Sequence, residues 1–244
     1  MNTTQLKKFS QEARISLLSQ IEGQLNIVLA SDSLARRESF QAVLTLEEKI
    51  KTTSKEEVID QVAYTWFNRF CALRFMDVNR YNRIGIVTPS RNEILPEILS
   101  DAIAGHIDDD VVHENIKKRV QDLLLGRMPS RDAQGESYQL LLVAYCNSLN
   151  TSIPFLFGRI DNYVELLLPS NLLSQDSILS SCRIAMTIEA CKDVEVIGWL
   201  YQYYISEKKE SWSKRNPRCY STFYSPLDCK VFSRKFIRKT LDAK

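Results

Sequence analysis

Apolar residues recur every three or four positions along most of the chain, a spacing that places them on one face of an α-helix. Residues 4–29 show this pattern and predict the first amphipathic helix. Its apolar positions are Leu6, Phe9, Ala13, Leu17, Ile21, Leu25 and Val28. A second helix is predicted after Ser33, which is suited to cap it.

The strongest helical pattern follows Ser54. Together with Glu57, this serine forms an S-x-x-E capping box, which marks a helix start. The helix that it opens is apolar almost all round, so we predict that it is the central, buried helix. Its apolar residues are Val58, Ile59, Val62, Ala63, Trp66, Phe67, Phe70, Cys71, Leu73 and Phe75.

The pattern changes after Asp77, where residues 83–89 predict a short strand or an extended loop. Pro154 predicts a break, because proline disfavours helix in the residue before it. Further helices are predicted at 94–104, 110–125, 132–149, 161–167 and 176–184, and a last one from Thr187. The predicted fold is mainly α, with one helical domain over residues 1–207.

Charge divides the chain at the same boundary. Residues 208–244 hold eleven Lys and Arg against three Asp and Glu, whereas residues 1–207 hold 21 against 27. The net charges are therefore +8 and −6. A basic tail on an acidic body is typical of a nucleic-acid-binding arm, and it also fits an unstructured, soluble end.

Glycine and cysteine usage excludes several kinds of site. The seven glycines are never closer than nine residues, so the clustered glycines of a Walker, Rossmann or S-adenosylmethionine loop are missing. Six cysteines without a CxxC pair argue against zinc. There is no signal-peptide pattern and no apolar run of 18 residues, so we expect a cytoplasmic protein without a membrane span.

Polar and aromatic candidate sites each have a structural alternative. The carboxylates of Asp108, Asp109 and Asp110 could bind a divalent cation, but a role at a helix start is favoured. His106 and His113 lie seven residues apart, and a break between them disfavours a shared metal. The aromatic residues of the helix after Ser54 could stack on bases, although their spacing favours the core.

Four arginines are the candidate nucleic-acid contacts: Arg69, Arg74, Arg80 and Arg83. They could follow a phosphate backbone from the exposed side of this region, and a solvated or ion-paired face is the competing interpretation. No serine or cysteine lies in a recognisable nucleophile motif, so we expect no catalytic residue in this chain.

Longer motifs carry a family resemblance. The stretch VAYTWFNRFCALRFMDVN at 62–79 resembles the PglX-type adenine-specific DNA methyltransferases of type 1 bacteriophage-exclusion (BREX) systems. The resemblance continues in LKKFSQEAR at 6–14, in PFLF and RID at 154–161, and in DVEVIGWLYQYYISEKK at 193–209. It covers roughly 200 residues in collinear order.

The resemblance implies an N-terminal helical region that precedes a methyltransferase core and a target-recognition part. The core would bring S-adenosylmethionine and an N-P-P-Y motif that holds an extruded adenine. This chain has no adjacent prolines and no G-x-G, so neither half of that site transfers to it. We therefore expect a catalytically silent part of an adenine-N6 methyltransferase for phage defence, with no cofactor of its own.

The implied partners are DNA and other BREX proteins. The alternative is a helical docking module that is not an enzyme by itself. We also expect weak self-association, because apolar residues near the end of the resemblance would lack the cover of the following core. These residues are Trp199, Leu200, Tyr203 and Tyr204.

The basic tail has a further explanation. Residues 221–244, back-translated with permitted codons and moved forward by one nucleotide, give QLFTPHWIVRYLVENSLGKLWML, which resembles the family sequence at the entrance to its core. We expect a frameshift in the gene, with the last residues translated out of frame and disordered. Sequencing the DNA tests this, since the shifted frame should continue into N-P-P-Y.

Overall fold

The structure is a computed structural model that describes residues 3–91, 93–154, 156–158 and 162–215. The described part is mainly α, as predicted, and contains no strand; an isolated antiparallel bridge joins Pro89 and Pro96. Its helices are α1 Thr3–Leu29, α2 Leu34–Glu38, α3 Phe40–Thr52, α4 Lys55–Val78, α5 Glu97–Ile103, α6 Glu114–Leu124, α7 Ala133–Ser148, α8 Asn162–Leu166, α9 Ile178–Ala185 and α10 Glu195–Arg215, with a 3-10 turn at Ala190–Lys192.

The predicted helix caps at Ser33 and Ser54 are confirmed. The Ser33 hydroxyl accepts a hydrogen bond from the Arg36 N–H at 3.2 Å, and the Ser54 hydroxyl accepts one from the Glu57 N–H at 3.1 Å. Such bonds satisfy N–H groups that have no partner within the helix. Short-range sequence signals therefore set these two helix starts.

The core forms where α1, α4 and α10 meet. Fifteen of the 24 residues of α4 are buried, which confirms its predicted central position. The Phe67 ring lies 5.9 Å from Phe9 of α1 and 4.5 Å from Tyr204 of α10, measured between centroids. Arg14 of α1 pairs with Asp60 of α4 at 2.8 Å. Because Phe9 precedes Arg14 while its partner Phe67 follows Asp60, α1 and α4 run antiparallel.

Three predicted helices have different bounds. The helix after Ser33 breaks at Ser39, whose backbone leaves the helical region (φ −135°, ψ 43°). The helix predicted over 110–125 begins only at Glu114, because the Asp108 carboxylate accepts the Asp110 N–H and closes a turn. The last helix does not begin at Thr187.

Thr187 lies before the 3-10 turn, whose N-cap is Glu189. Its hydroxyl accepts the Ala190 N–H at 3.2 Å. Asp193 then adopts an extended backbone, and its carboxylate accepts the Glu195 N–H at 2.9 Å, where α10 begins. The predicted N-cap of the last helix at Thr187 is therefore wrong.

The end of the described chain bears on the predicted self-association. Leu200 and Tyr204 are buried in the core, with exposures of 1% and 0%. Trp199 and Tyr203 are half-buried. The expected loss of cover is therefore wrong for the first two residues. The α10 backbone continues to Arg215, and residues 216–244, with the predicted disorder and frameshift, lie outside the described residues.

None of the described helices is both long enough and apolar enough to cross a bilayer.

Candidate nucleic-acid interface

Arg69 is not a surface residue. It is 3% exposed, its Nη2 donates to the Gly158 carbonyl at 2.6 Å, and its guanidinium lies 5.5 Å from the centroid of the Trp66 ring. Desolvation by burial lowers its pKa. Two further N–H groups of this side chain, on Nε and Nη1, find no partner in the described structure.

Arg74 is also enclosed. It is 8% exposed, its Nε donates to the Met186 carbonyl at 3.1 Å, and its Nη1 donates to the Thr88 hydroxyl at 2.8 Å. The expectation that both arginines lie on an exposed side is therefore wrong. A helix that is buried on nearly every side leaves these cations only interior partners, and the DNA-contact prediction loses its basis for Arg69 and Arg74.

Arg74 contributes to an internal network that holds residues 82–88, which we call the anchored segment. Asp77, near the end of α4, is its centre. The Asp77 carboxylate accepts hydrogen bonds from the N–H groups of Ile86 at 3.1 Å and Val87 at 2.9 Å, and from the Asn82 side chain at 2.6 Å. A side chain thus satisfies N–H groups that a neighbouring strand would satisfy in a sheet.

Other helices complete the network around the anchored segment. Glu97 of α5 accepts the Gly85 N–H at 2.6 Å, and the Ile98 N–H returns a bond to the Gly85 carbonyl at 3.0 Å. Three side chains also donate hydrogen bonds to this segment. The Tyr138 hydroxyl donates to the Ile86 carbonyl at 3.0 Å, and the Tyr145 hydroxyl donates to Asn82 Oδ1 at 2.8 Å. Arg183 Nη1 donates to the Val87 carbonyl at 3.2 Å. Residues 83–89 therefore form no strand; they are a loop with bends whose backbone groups pair with side chains.

Burial controls the electrostatics of this network. Desolvation raises the pKa of Asp77, while the hydrogen bonds that its carboxylate accepts act in the opposite direction. Burial also raises the pKa of Tyr138 and of Tyr145 and lowers that of Arg183. Arg74 and Arg183 donate to the Thr88 hydroxyl and the Val87 carbonyl, so both guanidinium groups bind neutral oxygens of the anchored segment.

Arg80 and Arg83 lie outside the network, on its solvent side. Both are exposed. Arg80 has a left-handed backbone (φ 56°), and the structure describes no other residue except glycine with a positive φ. Arg83 has an 84% exposed side chain, and its Nη1 lies 3.9 Å from Asp108 Oδ2. Their contact with DNA stays a prediction.

The other candidate residues have structural roles. Trp66, Phe67, Phe70 and Phe75 are all at most 3% exposed, which confirms their core position. The described part contains no group of three or more His, Cys, Asp or Glu that could hold a metal ion. The aspartate run lies before α6 rather than at its start, and Asp109 pairs with Lys117 at 2.5 Å.

His113 precedes the first residue of α6, without a side-chain capping bond.

The partners of the anchored segment were missed by sequence reasoning. Asp77, Glu97, Tyr138, Tyr145 and Arg183 lie on four different helices, and no local spacing relates them. The one available signal is the polar Asp77 near the end of a buried apolar helix.

Comparison with known proteins identifies two curated relatives. The chain is 32% identical to the adenine-specific methyltransferase BrxX of Escherichia coli O9:H4 (strain HS), in an alignment 240 residues long that covers 86% of this chain and 19% of that protein. It is 29% identical to the adenine-specific methyltransferase PglX of Lacticaseibacillus casei (strain Zhang), in an alignment 278 residues long that covers 99% of this chain and 22% of that protein.

The resemblance to these methyltransferases is confirmed. The chain spans about one fifth of the length of the curated relatives that it matches. No protein-family model matches it. Its similarity to BrxX and PglX supports a methyltransferase-family origin.

Proposed function

We propose that this chain is the N-terminal, non-catalytic helical part of a site-specific DNA adenine-N6 methyltransferase that uses S-adenosylmethionine in BREX phage defence. The supporting observation is the extent of the similarity, which covers most of this chain and only about a fifth of BrxX and PglX. In this proposal, catalysis and cofactor binding belong to another part of the methyltransferase.

The sequence and the interior agree with a non-catalytic role. The printed chain has no N-P-P-Y motif and no clustered glycines, which are the elements that the family resemblance would require for adenine and cofactor binding. The charged side chains of Arg74, Asp77 and Arg183 serve the fold, because each forms a hydrogen bond with the anchored segment.

Binding of labelled S-adenosylmethionine to the purified chain tests this proposal. We expect no saturable binding and no methyl transfer to DNA. A longer relative such as BrxX serves as the positive control in both assays. Saturable binding that an excess of unlabelled cofactor displaces would refute the proposal, because it would require a cofactor site within these residues.

A docking module is the second candidate function. The observation that favours it is the anchored segment, whose many side-chain contacts fix the surface that carries Arg80 and Arg83. Such a module would bind DNA or other BREX components. If this chain docks without the rest of the methyltransferase, an excess of it should inhibit a longer relative such as BrxX. The measurement is the loss of adenine methylation in reactions that contain both proteins.

A further inference from the structure

We propose that Arg80, Arg83 and Arg91 form a DNA phosphate-binding surface, which we call the arginine tip. The inference rests on the proposed function for the class of partner, and its new step is the place of contact. All three residues are exposed and lie on the connection between α4 and α5. A phosphate backbone is a regular array of negative charge, which guanidinium groups bind through charge-assisted hydrogen bonds.

Basic residues predominate at this connection. It contains three arginines and one acidic residue, Glu93, although residues 1–207 carry 27 acidic against 21 basic residues. The acidic group that precedes the stretch, Asp77, is directed inward and accepts hydrogen bonds from Ile86 and Val87. A local cationic surface on an acidic body is the electrostatic pattern that favours a polyanion at one place.

The arginine tip stands on a rigid base. Donors and acceptors from α4, α5, α7 and α9 hold the anchored segment, and Ile86 and Val87 are 0% and 1% exposed. Arg83 belongs to this segment, so the position of its backbone is fixed before any ligand arrives. Binding then orders only side chains, which lowers the entropic cost of association.

Arg80 carries the most specific observation. It follows the C-cap of α4, where the Tyr81 N–H bonds to the Met76 carbonyl at 2.9 Å, and its φ is 56°. Glycine is the usual residue in this left-handed position after a helix, because a Cβ atom is strained there. An exposed arginine at such a position contributes no packing, so we infer that its charge is the property in use.

Arg83 has a weak local partner and a matched control. Its Nη1 lies 3.9 Å from Asp108 Oδ2, and exposed pairs of this kind contribute little. Arg127 is similar: its side chain is 69% exposed, and its Nη1 lies 3.6 Å from Asp122 Oδ1. Arg127 follows α6 and is separate from the connection between α4 and α5.

The test measures binding of the full chain to a labelled duplex of about 20 base pairs by fluorescence anisotropy, between about 50 and 200 mM salt. We expect Arg80→Gly and Arg83→Ala each to weaken binding about three- to tenfold, and Arg80→Lys to retain most of it. Arg127→Ala should have no effect. Asp108→Asn should tighten binding, because it removes a carboxylate beside the phosphate site.

The triple variant Arg80→Gly, Arg83→Ala and Arg91→Ala should lower the slope of log affinity against log salt by about 2 to 3, about 0.9 for each lost phosphate contact. The tail over 208–244 is present in every variant, so the differences report the arginine tip. Circular dichroism should show unchanged helix content in each variant.

An unchanged affinity and salt slope in the triple variant would overturn the inference, and equal losses in Arg127→Ala would do the same. Failure of the chain to bind DNA at all would also overturn it. The same holds if the triple variant loses binding to a BREX protein while its affinity for DNA is unaltered. None of these outcomes bears on the proposed function, whose failure is detected separately as binding of S-adenosylmethionine.

Discussion

Replacing Asp77 with alanine removes the acceptor at the centre of the anchored segment. This carboxylate accepts hydrogen bonds from the N–H groups of Ile86 and Val87 and from the amide of Asn82. Ile86 and Val87 are almost completely buried, so water does not easily replace the lost acceptor. The substitution thus leaves two buried backbone donors unpaired.

The magnitude follows from those two donors. A buried donor left without a partner costs about 1–3 kcal/mol, so Asp77→Ala should lower the free energy of unfolding by about 2–6 kcal/mol. Asp77→Asn keeps one acceptor oxygen but turns an amide N–H₂ toward the segment, and we expect a loss of about 1–3 kcal/mol. Both values lie above the effect of an ordinary surface substitution.

Urea unfolding followed by far-ultraviolet circular dichroism measures these changes. The matched control is Asp109→Ala, since Asp109 has a 72% exposed side chain and a surface pair with Lys117. The control should change the free energy of unfolding by less than about 0.5 kcal/mol. If Asp77→Ala is as mild as this control, the anchored segment does not depend on the carboxylate and the reasoning fails.

The pH dependence gives an independent check on Asp77. Burial raises the pKa of the Asp77 carboxyl in the folded state above 3.8, the ordinary value for an aspartate. The native protein therefore binds a proton on this carboxyl more tightly than the unfolded chain does. The contribution of Asp77 to stability therefore increases as pH falls through the raised pKa toward 3.8. The advantage of the wild type over Asp77→Asn should grow in that direction, and an advantage that shrinks would contradict the assignment.

Three other substitutions have expected effects on stability. Arg80→Gly should raise the free energy of unfolding by up to about 1 kcal/mol, or the melting temperature by up to about 4 °C in calorimetry, because relief of the left-handed strain exceeds the added chain entropy. Tyr204→Phe should be neutral or stabilising by up to about 1 kcal/mol in urea unfolding, since within the described structure its buried hydroxyl has no partner. Tyr138→Phe should cost about 0.5–1.5 kcal/mol in the same assay, because it loses the bond to the Ile86 carbonyl; equal effects of the two tyrosine substitutions would refute the pairing.

Local signals in the sequence predicted much of the helical framework. Ser33 and Ser54 cap helices because each places an acceptor three residues before an N–H that has no partner within its helix. The all-round apolar pattern after Ser54 predicted the buried α4. These features depend on neighbours in sequence, and tertiary contacts do not have to be known to recognise them.

The candidate site was less predictable, because its contacts are long-range. Arg69 bonds to the Gly158 carbonyl and Arg74 to the Met186 carbonyl, 89 and 112 residues away along the chain. Two predictions also conflicted: a helix buried on all sides has no exposed face for arginines at these positions. Arg80 and Arg83 lie beyond the buried part of that helix, which separates them from the other two candidates.

This division of the arginines gives them different electrostatic roles. Arg74 is enclosed and donates to the Met186 carbonyl and the Thr88 hydroxyl, so screening by salt affects its charge little. The charges of Arg80 and Arg83 face water, where salt weakens their attraction for a polyanion within roughly 10 Å at 0.1 M. On a body with an excess of acidic residues, such outward cations would set not only the strength of a DNA contact but also its orientation, because other approaches meet repulsion.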